Sequence, residues 1–171
     1  MKGFNKPRKL YLVKGLREVR FIDTPNFAKT KSKSKGSKRR GLIYQDRVVD
    51  YLENKKPDTW EALPGPWFEF EDVNGHGYAQ ADWLGIDMEN GVICIVEIKL
   101  NRVADAWWQL NRKYKPLVEK IFPGFNVAML EIATTVRHFK TPTDVGFIST
   151  IEDVEAGKTM FMRVPYEGLQ A

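Results

Sequence analysis

The residues best suited to chemistry stand at the end of a strand that should be buried. Residues 92–96 are apolar on both faces, which is typical of a central strand covered on both sides. The run continues into Glu97-Ile98-Lys99, and the two-residue period of a strand places Glu97 and Lys99 on one face. Burying charges for stability alone is poorly rewarded, so this ending indicates a functional site. The alternative is a salt bridge that only closes the strand.

A further carboxylate comes from the strand before this one. An Asn-Gly pair at 90–91 lies between two apolar runs, which is the strongest short-range signal for a β-hairpin. A two-residue turn at this pair places Asp82 directly opposite Lys99, with Glu97 one diagonal step away. A slip of one residue would instead turn Asp82 to the other face of the sheet.

Asp82, Glu97 and Lys99 together predict hydrolysis of a phosphate ester. Two neighbouring carboxylates repel each other, and protonation or a divalent cation relieves that repulsion. Carboxylate oxygens suit Mg²⁺ or Mn²⁺, which keep positions open for water and for a substrate phosphate. Beside such a metal, Lys99 would orient or help to deprotonate the attacking water and stabilise the charge growing on the phosphate.

The elements that must position these residues follow from the spacing of apolar side chains. Leu42, Gln45, Val49 and Leu52 share one stripe of a helix of about three turns, so Gln45 lies inside an apolar stripe. The other predicted elements are strands at 67–71, 126–133 and 159–164, the hairpin at 81–100, and a helix at 103–121 that Pro116 should kink or split. This order of elements predicts an α/β fold, a small mixed sheet with helices on both faces.

Asp82, followed after fourteen residues by Glu97-Ile98-Lys99, resembles the PD-(D/E)XK nuclease superfamily, a metal-dependent phosphodiesterase fold. The resemblance covers roughly residues 41–133 and implies an αβββαβ core like that of restriction endonucleases. It implies metal binding by Asp82, Glu97 and the main-chain carbonyl of Ile98, with Lys99 assisting the water. Residues 45–55 are similar to the first helix of phage junction-resolving endonucleases, which points to phage or viral DNA processing, recombination or repair.

Some positions depart from the pattern of that superfamily. Its proline before the aspartate is Ala81 here, and its helix glutamate is Gln45, a neutral amide, unless Asp46 substitutes. Gln109 resembles the glutamine of RecB-type nucleases, but Tyr114 follows it one position later than in their Gln-x-x-x-Tyr spacing. By this resemblance Gln45 and Gln109 position water, metal or the scissile phosphate.

Charge is unevenly distributed along the 171 residues. The net charge is +5, but residues 1–40 hold 14 Lys and Arg against two acids, a net +12, while residues 41–171 carry −7. A basic arm on an acidic body usually contacts nucleic acid or an anionic membrane, and the alternative is a solvated tail. We therefore predict a partly flexible basic arm at 1–40 and a nuclease-like domain at 41–171. The predicted DNA contacts of the arm are Lys29, Lys31, Lys33, Lys35, Lys38, Arg39 and Arg40.

Composition excludes several classes of protein. A single cysteine, Cys94, excludes a disulfide scaffold and a multi-thiolate zinc site, and two histidines leave little for a histidine-rich metal centre. No apolar run approaches the roughly 20 residues of a membrane span, and the first residues lack a secretory signal. The expected partner is DNA and not a membrane, and the expected compartment is a reducing cytoplasm, that of the host if the source is viral.

The resulting hypothesis is a Mg²⁺- or Mn²⁺-dependent deoxyribonuclease. An endonuclease is favoured over an exonuclease, and a resolvase-like enzyme would act as a homodimer to cut two strands. One alternative is a DNA-binding protein that kept the nuclease fold but lost hydrolysis, for which Gln45 is the best evidence. The other is an RNA-binding accessory protein that uses the arm and exposed tryptophans such as Trp108, without metal.

Overall fold

The computed structural model describes residues 12–29, 35–100, 104–134 and 159–164, and these form a mixed α/β structure, as expected. None of the described helices is long and apolar enough to cross a membrane. In chain order the elements are β1 (Glu18–Ile22), a 3-10 turn (Asn26–Ala28), α1 (Gly36–Lys55), β2 (Glu61–Pro64), β3 (Trp67–Asp72), β4 (Gly75–Gln80), β5 (Trp83–Asp87), β6 (Val92–Lys99), α2 (Ala104–Gln109), a π-helical turn (Leu110–Tyr114), α3 (Lys115–Ile121), β7 (Asn126–Ala133) and β8 (Thr159–Arg163).

The larger sheet contains five described strands in the order β2-β5-β6-β7-β8. β2, β5 and β6 run antiparallel, whereas β6 pairs with β7, and β7 with β8, in parallel. β6 is therefore the middle strand, and residues 93–98 of it are buried. The sequence prediction of a central, doubly covered strand is confirmed.

A smaller antiparallel sheet has the order β1-β3-β4. The predicted strand at 67–71 lies here and not beside the hairpin, and neither β2 nor β4 was expected. The Gly75-His76-Gly77 sequence is typical of a turn, but all three residues lie in β4. Packing explains why residue 77 is a glycine. A Cβ at Gly77 would come within 2.6 Å of the Phe70 ring, so a strand can pass there only without a side chain.

The first described residues are part of the fold, which differs from the predicted arm at 1–40. Phe21 packs with Phe68 and Phe122 at ring distances of 5.0 and 5.9 Å, because alternate residues of β1 face the core. Further along, α1 begins at Gly36, so the cations at 38–40 are helical. The boundary at residue 40 therefore falls inside a helix.

α1 covers one face of the larger sheet through a stripe rotated from the expected one. Its buried residues are Tyr44, Val48 and Leu52, spaced by four positions, whereas Leu42 is 47% exposed. They pack in one cluster with apolar side chains of β6 and β7. Gln45 lies at the edge of this stripe, where it is half-buried.

The opposite face is covered by the helical segment from α2 to α3, which Pro116 modifies as expected. Proline has no N–H to donate to the carbonyl four positions earlier, that of Arg112. The preceding residues form a π turn, in which Lys115 N–H bonds to Leu110. The Arg112 carbonyl accepts the N–H of Val13 instead, at 3.1 Å. The helix thereby anchors the start of the described chain.

Candidate active site

Asp82 lies opposite Glu97 at the end of the β5–β6 hairpin. The register joins Trp83 to Val96, and continuing it by one residue brings Asp82 against Glu97. The predicted register, with Asp82 opposite Lys99, is therefore wrong by two residues. Because a shift of two keeps each side chain on its face, Asp82 still shares a face with Glu97 and Lys99.

The connection between the two strands explains the difference in register. Asp87 pairs with Val92, which leaves residues 88–91 in the loop instead of a two-residue turn. The Asp87 carboxylate accepts hydrogen bonds from Asn90 N and Nδ2, at 3.1 and 2.8 Å. Asn90 therefore caps the strand end, and Gly91 adopts a φ of 64° to close the longer loop.

Asp82 is fixed by hydrogen bonds from two elements. Oδ1 accepts a bond from Gln45 Nε2 of α1 at 2.9 Å, and Oδ2 accepts one from the Ile98 N–H of β6 at 2.6 Å. The structure thus brings together three residues that the sequence proposed for the site. The same contact gives a role to Gln45, the polar residue at the edge of the buried stripe of α1, because its amide holds the Asp82 carboxylate.

Glu97 and Lys99 form an ion pair at 2.9 Å between Oε1 and Nζ. The Glu97 side chain is 3% exposed, whereas that of Lys99 is 29% exposed. Within the described part of the chain, Glu97 Oε2 is buried without a hydrogen-bond partner. A buried carboxylate oxygen with no donor is costly, so this atom is a candidate ligand for a cation.

Burial and mutual repulsion disfavour two ionised carboxylates at this site. Burial, followed by the charge of Asp82, raises the pKa of Glu97 to about 8. Burial also raises the pKa of Asp82, although the Ile98 N–H acts in the opposite direction. Burial lowers the pKa of Lys99, but the ion pair with Glu97 and the charges of Asp82 and Asp105 together leave it above its ordinary value, so Lys99 remains a cation.

Lys113 is a further cation near the site that the sequence reasoning missed. Burial lowers the pKa of Lys113, the Glu97 charge raises it, and the Lys99 charge lowers it. Lys113 therefore lies close enough to interact electrostatically with both members of the ion pair. It follows Gln109 by four positions, and that helical spacing from an expected site residue is the signal that could have found it.

The π turn places Tyr114 beside the same carboxylates. Burial, then the charges of Glu97 and Asp82, raises the pKa of Tyr114 well above its ordinary value. Its hydroxyl donates to the Gln80 carbonyl at 2.8 Å, two residues before Asp82. A π turn holds one residue more than an α-helical turn, so Tyr114, five positions after Gln109, takes about the place of a residue four positions after it in an α-helix.

Gln109 itself stands at the end of α2, which packs against β6. Its Oε1 is buried and has no hydrogen-bond partner among the described residues. Trp108 is half-buried, and its Nε1 is likewise buried without a described partner. Among the described residues, the helix that packs against β6 thus carries an amide oxygen without a hydrogen-bond partner.

Glu131 of β7 is another buried carboxylate that the sequence reasoning did not select. It pairs in register with Glu97, so the two side chains project from the same face of neighbouring strands. Its exposure is 1%. The signal was the one used for Glu97, a charge within an otherwise apolar strand.

The proposed DNA-contacting residues fall on both sides of the start of α1. Lys35 precedes the helix, Lys38, Arg39 and Arg40 lie in its first turns, and all four are exposed. Lys29 follows the 3-10 turn and is also exposed, whereas Lys31 and Lys33 lie outside the described residues. No acid accompanies these cations in the first turn of α1, where the helix dipole disfavours positive charge.

Comparisons with protein-family models, with curated proteins and with solved structures found no match to this chain. Among the described residues, no three or more histidine, cysteine, aspartate or glutamate side chains are grouped closely enough to hold a metal ion. The site therefore offers the carboxylates of Asp82 and Glu97, and any further ligands would be main-chain carbonyls, amides or water.

Proposed function

We propose that this chain is a metal-dependent nuclease of the PD-(D/E)XK type that hydrolyses phosphodiester bonds in DNA. The observation that carries the proposal is the Glu97 carboxylate, which is buried beside Asp82, paired with Lys99 at 2.9 Å, and left with Oε2 lacking a described donor. An ion pair serving stability alone would have both carboxylate oxygens satisfied.

The residues present fit a hard divalent cation. The two oxygens of Asp82 accept hydrogen bonds from Gln45 and from the Ile98 N–H, and the Asp82 carboxyl also lies within hydrogen-bond reach of Glu97, so one cation could contact both carboxylates. Glu97 supplies Oε2, and the Ile98 carbonyl is the expected main-chain ligand. Mg²⁺ binds proteins through one or two carboxylates and retains several waters, so a site in which no three acidic side chains of the described residues are grouped around one point is compatible with it.

A metal held by Asp82 and Glu97 would supply Lewis acidity, lowering the pKa of a water and polarising a phosphoryl oxygen. Lys99 stays protonated beside Glu97, so we assign it to stabilising negative charge on the phosphate and not to accepting a proton. Gln45 orients Asp82 through the bond to Oδ1. Lys113 adds positive charge on the side of Glu97 that faces the helix.

The helix that carries Gln109 supports the assignment to this superfamily. The one-residue displacement of Tyr114 from the RecB-type spacing is offset by the π turn, which adds one residue to a helical turn. The Gln80 bond of Tyr114 and its electrostatic coupling to Asp82 place the ring at the site. An αβββαβ core is consistent with α1, β2, β5, β6, α2 and β7, with β3 and β4 as an insertion.

DNA as the polymer is supported by the charge at the start of α1. Lys38 lies seven residues before Gln45, two turns away on the same side of the helix and roughly 10 Å along its axis. Phosphates bound at this end would compensate cations that the helix dipole disfavours. A DNA strand bound along this face of α1 would pass Gln45 and reach Asp82.

The test is cleavage of supercoiled, single-stranded and branched DNA in Mg²⁺ or Mn²⁺, with EDTA as the blank. Lys99→Met and Glu97→Gln should each abolish product formation. Lys55→Ala is the matched control, because Glu53-Asn54-Lys55 repeats the acid-x-Lys sequence at the exposed end of α1. Cleavage of none of these DNAs, or loss of activity in Lys55→Ala equal to that in Lys99→Met, would refute the proposal.

A second candidate function is DNA binding without hydrolysis, favoured by one observation. Gln45 donates to Asp82 from the position where the superfamily has an acid, which leaves two carboxylates at the site. Calorimetric titration separates the two functions, because an active nuclease must bind Mg²⁺ or Mn²⁺ at this site. Under the binding-only function, DNA affinity is independent of metal and of Asp82→Asn.

A further inference from the structure

An exposed group of aromatic side chains lies on the smaller sheet, away from the carboxylates. We call Phe27, Trp67, His76 and Tyr78 the aromatic platform. Phe27 contacts Trp67 and Tyr78 at ring distances of 5.8 and 5.2 Å, both edge-to-face. His76 contacts Tyr78 at 4.7 Å. The four rings therefore form one continuous group across the outer face of β3 and β4.

The platform is open to solvent. Phe27 is 64% exposed and Tyr78 is 40% exposed, although both are large apolar residues. The 3-10 turn that carries Phe27 buries none of its residues, so core packing does not account for the position of this ring. Clustered exposed aromatic rings usually mark a binding surface.

The chemistry next to the rings indicates a nucleic acid. Lys29 is two residues after Phe27 and begins a stretch, through residue 40, with seven cations and no acid. Arg20 is 72% exposed at the side chain and is held toward the sheet by Glu69 at 2.7 Å. Arg20 and His76 also line an open groove of about 440 Å³. Flat apolar rings beside cations match the faces of bases beside phosphates.

The platform suits single-stranded and not duplex segments. Bases inside a duplex are stacked on each other, so only unpaired bases can stack on protein rings. The groove is lined by Glu18, Glu69 and Glu71 as well as by Arg17, Arg20 and Lys120, and this balance of opposite charges does not suit the dense phosphates of a duplex.

Chain connectivity links the platform to the candidate active site. Tyr78 is four residues before Asp82, and an extended chain spans at most about 14 Å over that length. Gln80, between them, accepts the Tyr114 hydroxyl at 2.8 Å. A base on the platform therefore lies within a few nucleotides of the carboxylates.

We infer that the aromatic platform stacks unpaired bases, so that the favoured nucleic acid carries a single-stranded segment. The biological meaning rests on the proposed nuclease function, but binding does not require cleavage. The experiment is fluorescence anisotropy in EDTA with a short labelled oligothymidine and with a duplex of equal length. The double variant Phe27→Ala, Tyr78→Leu should bind oligothymidine about 10-fold more weakly, or weaker still, and should bind the duplex as the wild type does.

The controls exclude a general loss of structure or of charge. Met88→Ala removes another exposed apolar side chain, 60% exposed in the β5–β6 loop, and should bind as the wild type does. Tyr78→Phe keeps a ring and should also bind normally. Equal losses on duplex and oligothymidine, or no loss on either, would overturn the inference. So would a dimer in sedimentation that the double variant dissociates while DNA binding is unchanged.

The outcomes also separate this inference from the proposed nuclease function. If binding depends on the rings but the protein cleaves no DNA in Mg²⁺, the inference about the aromatic platform is supported and the proposed nuclease function is refuted. Cleavage that depends on Glu97, with binding independent of the rings, would retain the nuclease and reject the platform.

Discussion

Gln45 Nε2 donates a hydrogen bond to Asp82 Oδ1 at 2.9 Å, joining α1 to the carboxylate that precedes β5. α1 packs on the face of the larger sheet that includes Val96 and Ile98, whereas Glu97 projects from the other face. The amide thus contributes to the site from the opposite side of the sheet. This is the position at which the superfamily pattern leads one to expect an acid.

Gln45→Glu should make the site more dependent on metal. A carboxylate in place of the amide loses the donor to Asp82 and adds repulsion, so the metal-free protein should lose about 1–3 kcal/mol of stability. Thermal unfolding in EDTA and in Mg²⁺ should show a larger metal-induced shift than in the wild type. Asp46→Asn is the control, because Asp46 is exposed. A smaller shift for Gln45→Glu would contradict a metal role at this position.

Stability of the metal-free protein should fall as pH rises. Burial and the Asp82 charge raise the pKa of Glu97 from 4.5 to about 8 in the folded state. Between those values the folded state binds more protons than the unfolded state, so the free energy of unfolding decreases with increasing pH. Urea denaturation in EDTA from about pH 5 to pH 8 measures this decrease. Glu97→Gln should flatten the profile, and parallel profiles would disprove the assignment.

Lys113→Met should slow cleavage while leaving metal binding intact. The charge of Lys113 acts on Glu97 and Lys99 from the helical side, and methionine fills similar volume without charge. We expect a decrease in kcat of about 10- to 100-fold, equivalent to about 1.4–2.7 kcal/mol. Lys55→Met, at the exposed end of α1, is the matched control. Equal activity in both variants would exclude Lys113 from the site.

Phe21→Ala should destabilise the protein, in contrast to Phe27→Ala. Phe21 packs between Phe68 and Phe122, and its truncation should cost about 2–3 kcal/mol, less than for a fully buried ring. Phe27 is 64% exposed, so its truncation should cost less than about 0.5 kcal/mol. Chemical denaturation of both variants gives the comparison. Equal stabilities would mean that β1 is not part of the core.

Removing the cations at the start of α1 should reduce the salt dependence of DNA binding. Lys38→Gln, Arg39→Gln and Arg40→Gln together should lower the slope of log affinity against log salt by up to about 3. Lys55→Gln, at the other end of α1, is the control and should leave the slope unchanged. An unchanged slope in the triple variant would place the phosphates elsewhere.

The elements around the site could be predicted because their side-chain periodicity is strong. The apolar β6, ending in Glu97 and Lys99, and the apolar β7 are where the sequence placed them. The register was two residues wrong because an Asn-Gly pair favours a two-residue turn, whereas Asp87 bonds to Asn90 and lengthens the loop. Side-chain capping of this kind has no periodic signal.

The smaller sheet could not be predicted because contacts between residues far apart in the sequence determine it. β1 pairs with β3 across more than 40 intervening residues, and a strand of five residues has little pattern of its own. Gly77 resembles a turn residue in the sequence, but the Phe70 ring determines its presence. Lys113 differs from these residues, because its four-residue helical spacing from Gln109 was a usable local signal.

The bond from Val13 to the Arg112 carbonyl bears on the order in which the protein folds. Residues 12–22 leave the ribosome before their partners in β3 and in the π turn, so they have nothing to dock against until the helix has been made. Docking of β1 should then be a late step, after the hairpin and helices have collapsed. The same long-range dependence makes this segment the first to detach, and amide hydrogen exchange at Val13 should be faster than in β6.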